Sequence, residues 1–395
     1  MRADVDQRAD SDASNIPLAY TNVTIHPRTI SQEIRLLSTS GGPLNWIVGA
    51  YAFHLKGSMP FEIGASAGPP APFTLTFLRP RVRTTSYAGF AEGTYEIADA
   101  LFLTLGGRFT TEERSFRQNV NGTELPFGKA KKSFDRFTYR VALRYEFADN
   151  ANIYATHGTG FKSGAFNVVG TSPIATDPEK ITAYEVGLKI DPLDWLRTNI
   201  SAYYYDYKDL QVAARTASGG FTSQNAATAE IYGGEFELVA SPITDLTIRA
   251  SAAYNHAEYS KFLNAQSFIP RPTGGNLVGE RDVSGNHLVR APRYTFSVGG
   301  NYEWDIAGGR GDLSGNFFRS AKLYYDFMNL AKQPAYTQIN AEFGWTPPSA
   351  NWRVSVWGTN LTNAKIFQML QAGGPATTSF YQKPRTIGVG VELRF

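Results

Sequence analysis

The sequence of 395 residues contains no cysteine. That excludes disulfide cross-links, thiolate nucleophiles and cysteine-held metals. Histidine is scarce as well. The five present, His26, His54, His157, His256 and His287, include no His-x-x-x-His or His-Glu-x-x-His pair, so neither a metal centre nor a cofactor is expected. The longest low-charge apolar run, Leu44 to Leu55, is far short of the roughly 20 residues a helix needs to cross a bilayer. Charged residues make up only 18% and sum to +3, with no basic block of the kind that binds nucleic acid. The opening Met1–Asp10 lacks the apolar centre of a signal peptide.

What the chain has instead is aromatic residues, 13% of the total, and alternation. In the last segment, Ile387, Val389, Val391, Leu393 and Phe395 fall on one face, with Gly388, Gly390, Glu392 and Arg394 on the other. A strand has a period of two, so such a segment has one apolar face and one polar face. The same pattern recurs at Phe137 to Phe147, at Leu246 to Tyr254 and at Tyr294 to Trp304, and no helical period competes over comparable lengths. Averaging the two faces explains a mean hydropathy of only −0.27 in a chain that reads as membrane-embedded.

Turn lengths carry the second signal. Short breaks such as Ala98–Ala100, Ala148–Asn150 and Asp191–Asp194 alternate with long connections such as Gly57–Pro80, Ala165–Pro178 and Leu263–Ala291. Bacterial barrels have this asymmetry, with tight periplasmic turns and long extracellular loops. The expectation is an all-β fold: an antiparallel transmembrane β-barrel portion of about fifteen strands over residues 29–395, preceded by an irregular segment over 1–28. A soluble propeller or sandwich would use strands of about 5–6 residues with similar turns at both ends, which matches neither feature.

Several segments, in order, resemble the barrel of TonB-dependent outer-membrane receptors of the iron-complex type. They are Ser31-Gln-Glu-Ile-Arg-Leu36 with Trp46-Ile-Val-Gly-Ala-Tyr51, Gly160-Phe-Lys-Ser-Gly-Ala-Phe-Asn167 and Pro178-Glu-Lys-Ile-Thr-Ala-Tyr-Glu-Val-Gly-Leu-Lys189. Tyr203 to Gln211, Gly233-Gly-Glu-Phe-Glu-Leu238, Asn360-Leu-Thr-Asn363 and the terminal Phe395 complete the set. Each motif is weak alone, and their order over most of the chain makes the set strong. The resemblance implies an outer-membrane location and a barrel of about 22 strands, which leaves about seven strands and the plug upstream of Met1. It also implies uptake of a scarce nutrient, most readily a ferric siderophore, with no enzymatic activity. The implied partners are lipid, a small extracellular ligand, the barrel assembly machinery through the strand ending in Phe395 and, for a full-length parent, the TonB complex. A passive porin and a non-transporting truncated fragment are the alternatives.

Three sets of candidate residues follow. Parity places Arg144, Glu235, Glu237, Arg249 and Arg353 on the inward face, because a Lys or Arg in midplane lipid costs roughly 2–4 kcal/mol. Glu235 and Glu237 are the preferred plug contacts, against the plainer reading of solvated lumen-wall charge. Phe268, Arg271, Arg281, Phe367, Met369 and Tyr381 lie in long loops and are candidates for ligand capture. Tyr203, Tyr204, Tyr205 and Tyr207, with Trp195, Trp304, Trp345 and Trp352, are expected in interfacial girdles. Arg310-Gly-Asp312 sits in a short turn and Gly308-Gly-Arg-Gly311 lacks a strand–turn–helix setting, so neither is read as a site.

Overall fold

In the computed structural model, residues 5–10, 19–39, 41–65, 73–215, 221–348, 351–373 and 377–393 are described. Among them, fifteen strands form one antiparallel up-and-down wall. They are β1 (Ala19–Leu37), β2 (Leu44–Ser58), β3 (Arg81–Ala98), β4 (Leu101–Arg117) and β5 (Ala130–Ala148). Next come β6 (Ala151–Lys162), β7 (Glu179–Leu193), β8 (Leu196–Arg215), β9 (Phe221–Ala240) and β10 (Leu246–Lys261). The wall ends with β11 (Tyr294–Ile306), β12 (Gly309–Ser320), β13 (Tyr336–Thr346), β14 (Trp352–Thr359) and β15 (Thr386–Leu393). Each strand pairs with its neighbour in sequence, from β1–β2 through to β14–β15.

At one end the hairpins are tight. Ala148 opposes Ala151, Leu193 opposes Leu196 and Ile306 opposes Gly309, leaving two-residue turns. The turn between β11 and β12 puts Ala307 at φ 53° and Gly308 at φ 74°, the left-handed pair that suits the twist of a hairpin. At the other end the connections carry small hairpins of their own, Ala265–Pro270 with Asn276–Arg281 and Phe367–Ala372 with Thr377–Tyr381.

The alternating apolar residues are bare. Val356, Leu105 and Phe137 are more than half exposed, and no second layer covers them. Val389 reaches 74% and Val391 68% on β15, while Ile30 and Ile34 reach 67% and 65% on β1. These last values are high because β1 and β15 are edges: no ladder joins them among the described residues. An odd number of alternating strands leaves β1 and β15 running the same way, so joining them directly would make a parallel pair. Unpaired backbone groups cost several kcal/mol each in hydrocarbon, so these edges are the least satisfied part of the wall.

The N-terminal region differs from the sequence-based expectation. Residues 1–28 were expected to be irregular, yet β1 begins at Ala19 and Val5–Asp10 pairs with Tyr20–Ile25. The stretch Tyr20–Ile25 rises beyond the membrane, where no apolar face is required, so the alternation that reveals a strand fades. Pro27 sits within β1, where its missing N–H is tolerated on an edge.

Candidate functional site

The polar faces of the strands share the side of the wall opposite the bare apolar residues. A cavity of about 850 Å³ lies against six consecutive strands, β9 to β14, with Glu237, Arg249, Ser297, Asn316, Asn340 and Trp357 in its lining. Its polar lining, on the face opposite the bare apolar residues, identifies this face as the lumen. Small residues keep it open: Ser251, Gly299, Ser314 and Gly358 share the lining.

The lumen face of β2 to β8 is filled. Arg108 lies 5.5 Å from the Tyr51 ring and 5.4 Å from Phe90, and Arg144 lies 4.5 Å from Phe102. Tyr154 donates to Glu185 at 2.6 Å beneath Lys189, and Tyr203 stacks on Tyr205 at 4.9 Å. These rings need glycine opposite them, since a Cβ at Gly187 would overlap the Tyr154 ring and one at Gly49 the Phe90 ring.

The inward candidates separate into engaged and free groups. Arg353 is held by Asp312 (2.9 Å) and Glu342 (2.9 Å). Arg144 pairs with Glu146 at 2.5 Å, and Glu237 accepts from Asn199 at 3.3 Å. Glu235 and Arg249 have no hydrogen-bond or ion-pair partner among the described residues. Glu235, on β9, borders the filled region, close enough to feel Tyr154, Tyr203 and Tyr205, and Arg249 lies in the open one.

The outward aromatics form two bands. Near the long-loop end, Tyr139 meets His157 (2.9 Å), His157 stacks on Tyr184 (4.4 Å), Tyr184 meets Tyr204 (6.3 Å) and Tyr232 stacks on His256 (4.5 Å). Near the tight turns, Tyr302 stacks on Trp304 and Trp345 meets Trp352 edge-on. Tyr294 and Tyr302 on β11 are eight residues apart, about 26 Å along a strand, close to the apolar height of about 25 Å in outer-membrane barrels. One expectation is corrected here. Of the four clustered tyrosines, only Tyr204 points outward into the girdle, and Tyr203, Tyr205 and Tyr207 turn into the lumen. A run of tyrosines in a strand must split between faces, whatever its place along the membrane.

The loop candidates gather on two neighbouring hairpins. Phe268 opposes Val278, Arg281 opposes Ala265 and the Arg271 amide closes the tip onto Gly275. On the second hairpin Phe367 and Tyr381 rings lie 4.7 Å apart and Met369 opposes Phe380. Buried Asn276 joins the hairpins by donating to the Gly373 carbonyl (2.6 Å) and to Thr377 (3.3 Å). The connection between β12 and β13 locks in from the side. Tyr325 donates to the Phe367 carbonyl (2.7 Å), Asn286 donates to the Phe327 carbonyl (2.8 Å), and the Phe367 amide donates to Gln333 (2.7 Å). Beneath them Val212, Ala227, Tyr259, Phe262, Ala265 and Val283 form a small buried core. Three outer loops thus make one platform. Sequence reasoning missed Asn276, Asn286 and Gln333, because an amide linking distant loops leaves no local pattern.

Glu258 lies between two histidines, 3.3 Å from His256 and 3.7 Å from His287. Among the described residues no group of histidines and carboxylates has the geometry to hold a metal ion. Phe395, expected to close the barrel, lies outside the described residues.

A family model described as "TonB dependent receptor-like, beta-barrel" matches residues 3–361. The chain belongs to this family. The TonB-dependent receptor barrel is a non-enzymatic structure of the Gram-negative outer membrane, and among the described residues none folds as a plug. The metal-pseudopaline receptor CntO of Pseudomonas aeruginosa is 24% identical over 227 residues, covering 53% of this chain and 29% of that receptor. The crystal structure of the ferric yersiniabactin uptake receptor FyuA from Yersinia pestis superposes with a TM-score of 0.80 at 18% identity, covering 95% of this chain and 55% of FyuA. The copper transporter OprC superposes at 0.71 with 16% identity, covering all of this chain and 61% of OprC. The chain therefore spans about half the length of the solved receptors it resembles, and at such identities the likeness shows the fold alone.

Proposed function

We propose that this barrel wall serves the uptake of a scarce, chelated nutrient, most readily a ferric siderophore, in a process energised through TonB as part of a longer receptor. The observation that carries this reading is the preformed platform of three interlocked outer loops standing over an open, polar lumen. Such an arrangement suits capture outside followed by passage along the wall, since rigid scaffolds position functional loops. Phe268, Arg271, Arg281, Phe367, Met369 and Tyr381 would face the ligand, and free Glu235 and Arg249 would meet whatever fills the lumen. The surrounding partners would be lipid, the barrel assembly machinery at the β15 end, and the TonB complex acting on the remainder of the receptor.

The test is uptake of radioactive iron supplied as a ferric chelate by cells that rely on a receptor containing this wall. Uptake should stop when a protonophore collapses the proton gradient. Uptake that continues unchanged would mark a passive channel.

A further inference from the structure

The outer loops of the two halves carry opposite charge. The four connections between β2 and β3, β4 and β5, β6 and β7, and β8 and β9 contain two cations, Arg79 and Lys129, against three carboxylates, Glu62, Glu124 and Asp177. The three connections between β10 and β11, β12 and β13, and β14 and β15 contain nine lysines and arginines against three carboxylates, Glu280, Asp282 and Asp326.

Pairing sharpens the contrast. On the first side, five cations at the strand tops are matched: Arg117 with Glu124 (3.4 Å), Lys131 with Glu113 (3.3 Å), Lys132 with Asp177 (3.4 Å), Lys162 with Glu179 (3.1 Å) and Lys180 with Asp209 (3.1 Å). Arg79 rests over the Phe77 ring (4.6 Å), and Lys56, Arg81, Arg83 and Lys129 take part in no ion pair among the described residues. On the second side, none of the nine takes part in an ion pair among the described residues. Three of them rest on rings, Arg290 over Tyr325 (5.5 Å), Arg293 over Tyr254 (5.9 Å) and Lys322 over Tyr324 (5.6 Å), which leaves Arg271, Arg281, Lys332, Lys365, Lys383 and Arg385 without either kind of partner. The carboxylates there are partly occupied with their own loops, Asp282 by Ser284 (2.9 Å to its amide) and Asp326 by the Ala331 amide (2.7 Å). Self-repulsion among unpaired cations opposes compact packing. Here it is held in place by the amide cross-links and the buried core described above.

We propose that this platform is an anion-capturing face, so that the ligand of this wall is a compact chelate carrying net negative charge on oxygen atoms. The inference rests on the receptor reading and adds the charge class of the substrate and the side of the rim that receives it. Guanidinium groups suit oxyanions because their donors lie in a planar fork, and the exposed rings of Phe380 and Tyr381 beside them give the chelate an apolar resting surface. A field of one sign over a cleft also raises the rate of encounter with an opposite charge and weakens with salt.

Two probes of the same metal decide it: a ferric tris-catecholate, which is a trianion, and a ferric tris-hydroxamate, which is neutral. Binding of each is measured to the protein in outer-membrane vesicles. The trianion should bind about tenfold tighter or more at low ionic strength, and the advantage should shrink as salt rises. Combining Arg271→Gln, Arg281→Gln, Lys383→Gln and Arg385→Gln should abolish the preference, whereas Lys131→Gln with Lys132→Gln should leave it intact. The salt series on the unaltered protein stands even if the fourfold variant fails to fold. Equal or tighter binding of the neutral chelate would overturn the charge assignment and leave the receptor reading standing. Binding of neither chelate would overturn both. Displacement of the trianion by stoichiometric lipopolysaccharide would reassign the cations to the surrounding leaflet and overturn the proposal.

Discussion

The two halves of the wall differ in the same direction at two levels. From β2 to β8 the lumen face is filled by stacked rings and paired charges, and five of the cations above it have carboxylate partners. From β9 to β14 the lumen face is an open trough of serine, glycine and asparagine, and the loops above that side are rich in unpaired cations. One backbone pattern thus supports two kinds of surface. Where groups satisfy one another, as across the first half and at the Arg353 clamp of the second, the wall acts as a scaffold; where they are left without partners, it is available to something else.

Packing gives the largest test of that difference. Gly187→Leu drives a side chain into the Tyr154 ring, and overpacking of this kind should cost about 1–3 kcal/mol in denaturant unfolding. Ser314→Leu, facing the trough, should change stability by no more than about 0.5 kcal/mol. Equal losses would erase the distinction between the halves. A charge comparison within the second half, where both residues lie, separates a clamped group from a free one. Arg353→Met strands Asp312 and Glu342 and should cost about 1–3 kcal/mol, discounted because the group is partly solvated. Arg249→Met, with no partner to lose, should stay within about 0.5 kcal/mol.

The tie between the two long hairpins is a smaller effect. Asn276→Ala leaves the Gly373 carbonyl without its donor and should cost about 1 kcal/mol. The readout is faster hydrogen exchange across both hairpins, with the wall unchanged. If only the first hairpin loosened, the platform would not be one unit.

The subtlest test is in the platform's acids. Burial pushes the Asp326 carboxyl above its ordinary value, whereas hydrogen bonds from Ser284 hold Asp282 below it. The raised group favours the fold below the unfolded value of about 3.9 and loses that contribution as pH rises through its folded value. The lowered group does the reverse, contributing above about 3.9 and losing it as pH falls through its folded value. Site-resolved carboxyl titration should therefore find Asp326 protonating first on acidification. Coincident titrations would show that burial does not dominate at Asp326.

Much of the wall was legible because strand periodicity is local. The fifteen strands and the order of short and long turns follow from alternation after Thr29, with the largest boundary shifts beyond β1 at β9, which begins at Phe221 rather than Thr228, and at β12, which ends at Ser320 rather than Tyr325. β1 was longer than expected because the stretch from Tyr20 to Ile25 has no lipid to face. The site was less legible. Parity could place Arg249 and Arg353 in the lumen but could not tell that one is clamped and the other free, since pairing depends on neighbours up to 41 residues away. The excess of cations in three loops was countable in the sequence, yet it gained meaning only when Asn276, Tyr325 and Gln333 drew those loops together.

The account depends on which side of the wall meets hydrocarbon. The absence of cysteine allows single-cysteine spin labels to be walked along β15 from Ile387 to Glu392 in lipid vesicles, reading collision with oxygen, which concentrates in lipid, and with a water-soluble nickel complex. Oxygen contact should peak at Ile387, Val389 and Val391 and nickel contact at Gly388, Gly390 and Glu392, alternating residue by residue. A trace without period two, or one with its phase reversed, would contradict it.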